Sequence, residues 1–141
     1  MLRILSICLV FPALSSALFD VIGSDQSVTV TGKLICNGQP ANNVLVKLYE
    51  DGTIEDSKLD STRTSTDGTF KVSGTYTNIL TIDPKINIYH TCNYNGLCTK
   101  KFTINVPSYA VAQGSSATQN YDIGTLNLAN QYSGETTDCI H

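Results

Sequence analysis

Few side chains in this sequence can do chemistry, and they are thinly spread. His90, Cys92 and Cys98 share one short stretch; Cys36, Arg63, Cys139 and His141 are the other candidates past residue 17. His90 with Cys92 and Cys98 offers a metal one nitrogen and two sulfurs. A structural zinc takes four ligands, usually with C-x2–4-C spacing, so the set falls short. A Cys–His pair makes a nucleophile only while the thiol is free. General-base hydrolysis needs a positioned His with partners in reach, and the chain holds only two His. His90 shares strand parity with Ile86 and Ile88. That parity predicts a ring at the core edge, donating one N–H to backbone. His141 is the last residue and is expected to be mobile. The sequence therefore assigns no catalytic, cofactor-binding or metal-binding residue, and no cofactor.

The five cysteines have a more ordinary reading. Residues 1–17 carry Arg3, an apolar run from Ile4 to Phe11, and the small residues Ser15-Ser16-Ala17. That is the pattern of a secretory signal peptide, and the run is about half the ~20 residues needed to span a bilayer. Cys8 leaves with it. Cys36, Cys92, Cys98 and Cys139 remain, an even set that reads as two disulfides with three connectivities open. Cys92 and Cys98 flank Asn95-Gly96, a hairpin turn signal. This favours Cys92–Cys98 and leaves Cys36–Cys139. The expected localisation is secreted, extracellular, with no transmembrane segment.

The net charge is −3 over the whole chain. Lys100-Lys101 is the only adjacent basic pair outside the signal segment, which is not the basic stripe of a nucleic-acid binder. None of the eleven Asn heads an N-x-Ser/Thr triplet, so N-glycosylation is not expected.

The elements that must position these residues read as strands. Val28, Val30, Leu34 and Cys36 share one face, as do Val44, Val46 and Leu48. Asn37-Gly38-Gln39-Pro40 is a turn. Residues 50–60 form an acidic loop or weak hairpin, and 61–66 a polar edge strand. Asp67-Gly68 is a hairpin turn signal ahead of Phe70 and Val72. Ile86, Ile88, His90 and Cys92 form another row, then Phe102, Ile104 and Val106. Residues 108–119 are a loop of small polar residues. Tyr121 and Ile123 alternate, and the parity then shifts to Leu126 and Leu128, which places a β-bulge at Gly124. About six or seven strands and no helical pattern mean an all-β sandwich. The expected divisions are a signal peptide at 1–17, a lead-in at 18–27, the sandwich domain at 28–128, and a C-terminal tail at 129–141 tied by Cys139.

In order, VTVTGKLICNGQPANNVLVKLYED, TSTDGTFKVSG, IDPKINIYHTC, KKFTINVP and YDIGTLNL resemble the strands of the nematode transthyretin-like family of small secreted proteins. Asp83-Pro84, Tyr89-His90 and Cys92 stand at the matching places of its "DP…YH.C" segment. The resemblance implies a transthyretin/prealbumin-like β-sandwich of about seven strands. It does not imply hormone transport, because function sits in sites grafted onto a fold. The related 5-hydroxyisourate hydrolases look for more than one His, an Arg and a C-terminal Tyr-Arg-Gly-Ser. This chain ends Asp-Cys-Ile-His, with Arg63 as its one Arg past the signal segment.

The reading that follows is a secreted, non-enzymatic binding module with an unidentified partner: an extracellular protein, a lipid headgroup, a glycan or a small molecule. The expected surfaces are the 50–60 and 108–119 loops and the aromatics Tyr49, Tyr76, Tyr94 and Tyr109. The alternatives are a structural or self-associating protein, which exposed edge strands would serve, an apolar-ligand carrier, which needs a cavity, and a hydrolase. A monomer or weak dimer is expected.

Overall fold

The computed structural model describes residues 23–117 and 119–141. The expected signal peptide lies outside the described residues. Ten strands follow one another: β1 Ser24–Cys36, β2 Gln39–Pro40, β3 Leu45–Glu50, β4 Ser57–Arg63, β5 Thr69–Asn78, β6 Pro84–His90, β7 Thr99–Asn105, β8 Ala112–Gln113, β9 Tyr121–Asn127 and β10 Thr136–Asp138. A 3₁₀ turn at Ser108–Ala110 interrupts them. They form two five-stranded sheets facing each other as a sandwich. β1 is the spine of the first sheet. It pairs antiparallel with β5, β2 and β8, and parallel with β9. The second sheet runs β10-β7-β6-β3-β4 and is antiparallel throughout.

The alternation of the sequence supplies the core. Val28, Val30, Val46, Leu48, Val72, Ile86 and Ile88 are fully buried, with Phe70 and Phe102 close behind. Removing such rows from water is the main drive for the two sheets to meet. Asn37-Gly38 is a two-residue hairpin loop with φ of 53° and 83°, and Cys36 sits opposite Gln39. This is the backbone that an Asn-Gly hairpin favours. The bulge at Gly124 is present. β1 advances two residues from Thr31 to Lys33 while β9 advances three from Asp122 to Thr125, and Gly124 takes a φ of 79°.

Other expectations need correction. β1 starts at Ser24, inside the expected lead-in. The tail contributes β10, which pairs with β7. Asp67-Gly68 does turn the chain, but between sheets: β4 ends at Arg63 in the second sheet and β5 begins at Thr69 in the first. The Gly68 N–H bonds Ser65 O at 2.9 Å and the Ser65 N–H bonds Thr69 O at 3.0 Å. Gly68 has a φ of 83°, and a Cβ there would stand 2.4 Å from Leu34 O. Only glycine fits that crossing.

The disulfides are Cys36–Cys92 and Cys98–Cys139, not Cys92–Cys98 and Cys36–Cys139. The β6–β7 ladder stops at His90 opposite Lys100. The chain then turns at residues 91–94, where the Tyr94 N–H reaches Thr91 O at 3.1 Å and Asn93 takes a φ of 52°. Cys92 is thereby carried off the ladder to the end of β1 in the other sheet. The Asn37 and Asn93 amides bond each other at 2.7 and 3.2 Å beside that bridge. Cys98 instead continues the β7–β10 register, in which Thr99 faces Asp138, so Cys139 falls opposite it with the Cα atoms 4.5 Å apart.

Candidate functional site

The end of the sandwich where β1, β4 and β6 finish and β3 and β7 begin gathers the chemistry-capable side chains. His90 closes β6 facing inward, and its side chain is 1% exposed. Nδ1 accepts the Cys92 N–H at 3.1 Å, and Nε2 lies 3.2 Å from Glu135 Oε2. Because Nδ1 is an acceptor, the neutral ring carries its proton on Nε2 and donates it to Glu135. The expected donation from the ring to backbone is therefore reversed: backbone donates, and the ring donates to a carboxylate. Lys100 Nζ stands 3.9 Å from the other Glu135 oxygen. The ring edge meets Phe102 at 5.9 Å, and Phe102 stacks on Tyr132 at 4.4 Å. The Tyr132 hydroxyl donates to Asn127 O at 2.8 Å.

This group of contacts fastens the segment 132–135 over the open edge of the core. It resembles the base–orienter half of a hydrolytic triad, but neither ring nitrogen is left for a substrate proton. Cys36, Cys92, Cys98 and Cys139 are all oxidised in disulfides, so none is a nucleophile or a thiolate ligand. Among the described residues no group of three or more His, Cys, Asp or Glu is placed to hold a metal.

A cleft of about 220 Å³ opens at this end, lined by Asn43, Arg63, Tyr89, Thr91, Thr99 and His141 among others. A second of about 290 Å³ lies beside it, against the Cys36–Cys92 bridge, Asn42 and Leu128. Arg63 Nη1 donates to Asn43 O at 3.0 Å. His141 packs on the Tyr89 ring at 5.2 Å rather than hanging free, with Nδ1 3.7 Å from Asp138 Oδ2. Burial pushes the Tyr89 phenol up to about 12.

The outward side of the second sheet carries a register-defined row. Lys101 faces Tyr89 across β7–β6, Tyr89 faces Leu45 across β6–β3, and Leu45 faces Arg63 across β3–β4. Tyr89 is 5% and Leu45 8% exposed. Lys47 and Lys101 hold their ammonium groups 5.4 and 6.0 Å from the Tyr89 centroid.

The opposite end is acidic and apolar. Lys85 bridges Asp51 at 3.4 Å and Asp56 at 2.8 Å. It holds the Asp56 carboxyl below its usual range, and its own ammonium is raised by the same partner. Glu50 accepts the Asp83 N–H at 2.7 Å. Burial, then Asp83, Asp51 and Asp56, raise the Glu50 carboxyl above its ordinary value, against that hydrogen bond, which lowers it. Ile54, Ile79 and Leu80 stand out into solvent from the two loops at this end. Of the tyrosines expected at the surface, only Tyr109 is exposed; Tyr49, Tyr76 and Tyr94 are half-buried. The 108–119 loop docks back on the first sheet, where Thr75 Oγ1 donates to Ser115 O at 3.1 Å.

Glu135 and Lys47 were not singled out by sequence reasoning, and Tyr89 only as part of the family-like Tyr89-His90 pair. Glu135 lies 45 residues from His90 in a polar tail, with no spacing to mark it. The cationic row appears only once β3, β4, β6 and β7 are laid in order.

Comparison with known proteins agrees with this architecture. The family model described as "TTR-52: Transthyretin-like family" matches residues 31–107. Transthyretin-like protein 5 of Caenorhabditis elegans is 43% identical over 142 residues, covering 98% of both chains. Transthyretin-like protein 2 of the same organism is 37% identical, over 89% of this chain and 90% of that one. Transthyretin-like protein 33, also from Caenorhabditis elegans, is 38% identical over 85% and 89%. The chain belongs to the Transthyretin-like family.

Proposed function

We propose that this chain is a secreted, non-enzymatic recognition module that works through its exposed loops and sheet faces in the extracellular space. The observation that carries this is the fate of the reactive side chains. Four cysteines are spent in two disulfides, and both nitrogens of the one buried histidine are engaged in holding the fold. What remains for function is surface: a polar cleft, a cationic row and an acidic tip with exposed isoleucines and a leucine. Two disulfides in so short a chain suit an oxidising compartment, as does the signal-like segment at 1–17. Among the described residues no helix is long and apolar enough to cross a membrane.

The test is expression of the full chain with its own N-terminal segment in secretory cells. The expected result is a shortened, fully oxidised protein in the medium. That protein should bind saturably to at least one member of a panel of extracellular ectodomains, glycans and lipids. Retention inside the cell, or free thiols in the folded product, would contradict the reading.

A further inference from the structure

We propose that the outward face of the second sheet, at the cationic row of Lys101, Tyr89, Leu45 and Arg63 with Lys47 alongside, binds a linear sulfated polysaccharide. The inference rests on the recognition reading and names the class of partner.

Three observations converge. First, the cations are uncompensated. Ion pairs among the described residues use Lys85, Lys100, His90 and His141, and none uses Lys47, Arg63 or Lys101. The Tyr89 ring that holds the two ammonium groups adds no negative charge, and Arg63 spends one N–H on a neutral carbonyl. Asp138 on β10 faces Thr99 and lies against His141; its charge reaches the Tyr89 phenol but makes no ion pair with Lys47, Arg63 or Lys101.

Second, the main acidic cluster is remote. The chain is net negative, yet Glu50, Asp51 and Asp56 lie at the far end of β3 from this row, and at the near end Glu135 is taken up by His90 and Lys100. A polyanion is repelled by the acidic end and drawn to the row, where three cations share one face.

Third, the cations are spread out. Strands lie about 4.8 Å apart, so three steps put the Arg63 and Lys101 backbones about 14 Å from each other. Arg63 is held at Asn43 while Lys47 and Lys101 sit over Tyr89, so no single small oxyanion meets all three. A chain bearing sulfates at intervals does. Nucleic acid fits less well, because single strands want exposed rings for stacking and Tyr89 is 5% exposed under His141 and the lysine stems.

The experiment is titration calorimetry of the full secreted chain with a heparin-derived octasaccharide, at low and at physiological salt. Lys47→Gln/Arg63→Gln/Lys101→Gln should weaken binding about 30-fold, at about threefold for each exposed charge pair lost. Lys33→Gln/Lys71→Gln, on the first sheet, removes two charges elsewhere and should leave affinity unchanged, whereas Lys47→Gln/Lys101→Gln should weaken it about tenfold. Far-UV circular dichroism and the urea midpoint confirm that the triple and both doubles are folded. Equal loss in the two doubles, equal affinity for the desulfated octasaccharide, or equal affinity for an oligo-dT of matched charge overturns the proposal. A wild-type chain that binds a panel protein but not the octasaccharide also overturns it, and leaves the recognition reading standing.

Discussion

The two disulfides can be read separately by removing them in pairs. In the secreted chain, freed of residues 1–17 and so of Cys8 as proposed above, Cys36→Ser/Cys92→Ser should leave Cys98–Cys139 intact and no free thiol. Cys98→Ser/Cys139→Ser should leave Cys36–Cys92 intact and again no thiol. The bridges close sequence separations of 56 and 41 residues. The loop-closure model assigns each about 4 kcal/mol of constraint on the unfolded chain, so the two double variants should lose stability nearly equally. The pairing Cys92–Cys98 with Cys36–Cys139 makes different predictions. Its rings would contribute about 2.4 and about 4.7 kcal/mol, and either double variant would break both bridges and strand two thiols. Urea unfolding followed by circular dichroism reads the energies, and thiol titration in denaturant reads the pairing. Near-equal losses with no thiols are expected. Two thiols in either double variant would refute the argument that the 91–94 turn carries Cys92 across to β1.

Three further outcomes follow from local geometry. Gly68→Ala should destabilise by at least about 2 kcal/mol, since it combines a left-handed backbone with a Cβ driven onto Leu34 O; the urea midpoint measures it. Hydrogen bonds from Ser65 first, then from Thr69, hold the Asp67 carboxyl at about 2, below its ordinary 3.8. A depressed carboxyl stabilises above its unfolded value and loses that contribution as pH falls from about 4 to about 2. Asp67→Asn should therefore flatten the dependence of Tm on pH in that window, as read by differential scanning calorimetry. Glu135→Ala leaves the buried His90 Nε2–H unpaired and should cost about 1–3 kcal/mol. Hydrogen exchange should show the 132–135 segment and β10 opening first.

The sheets were legible where burial is one-sided. Rows such as Val46 and Leu48, or Ile86 and Ile88, alternate because one face meets the core, and a slip of one residue would invert them. The turn at Asn37-Gly38 and the bulge at Gly124 were legible because their backbones demand particular residues. Asn95-Gly96 carried the same turn signal and misled, since the chain had already turned at Asn93. Asp67-Gly68 announced a turn but not which sheets it joins, because a local motif says nothing about the sheet it enters. β10 and Glu135 were illegible: three polar residues at an edge, and a carboxylate whose partner is set by tertiary packing.

The central claim is that the reactive side chains of this protein serve its fold and that its function lies on its surface. The most direct measurement is an assay of the secreted, oxidised chain and of His90→Gln against 5-hydroxyisourate. Neither protein should turn over substrate above the buffer rate, and the variant should differ only in a lowered unfolding midpoint. Turnover by the wild type that His90→Gln abolishes while remaining folded would contradict it.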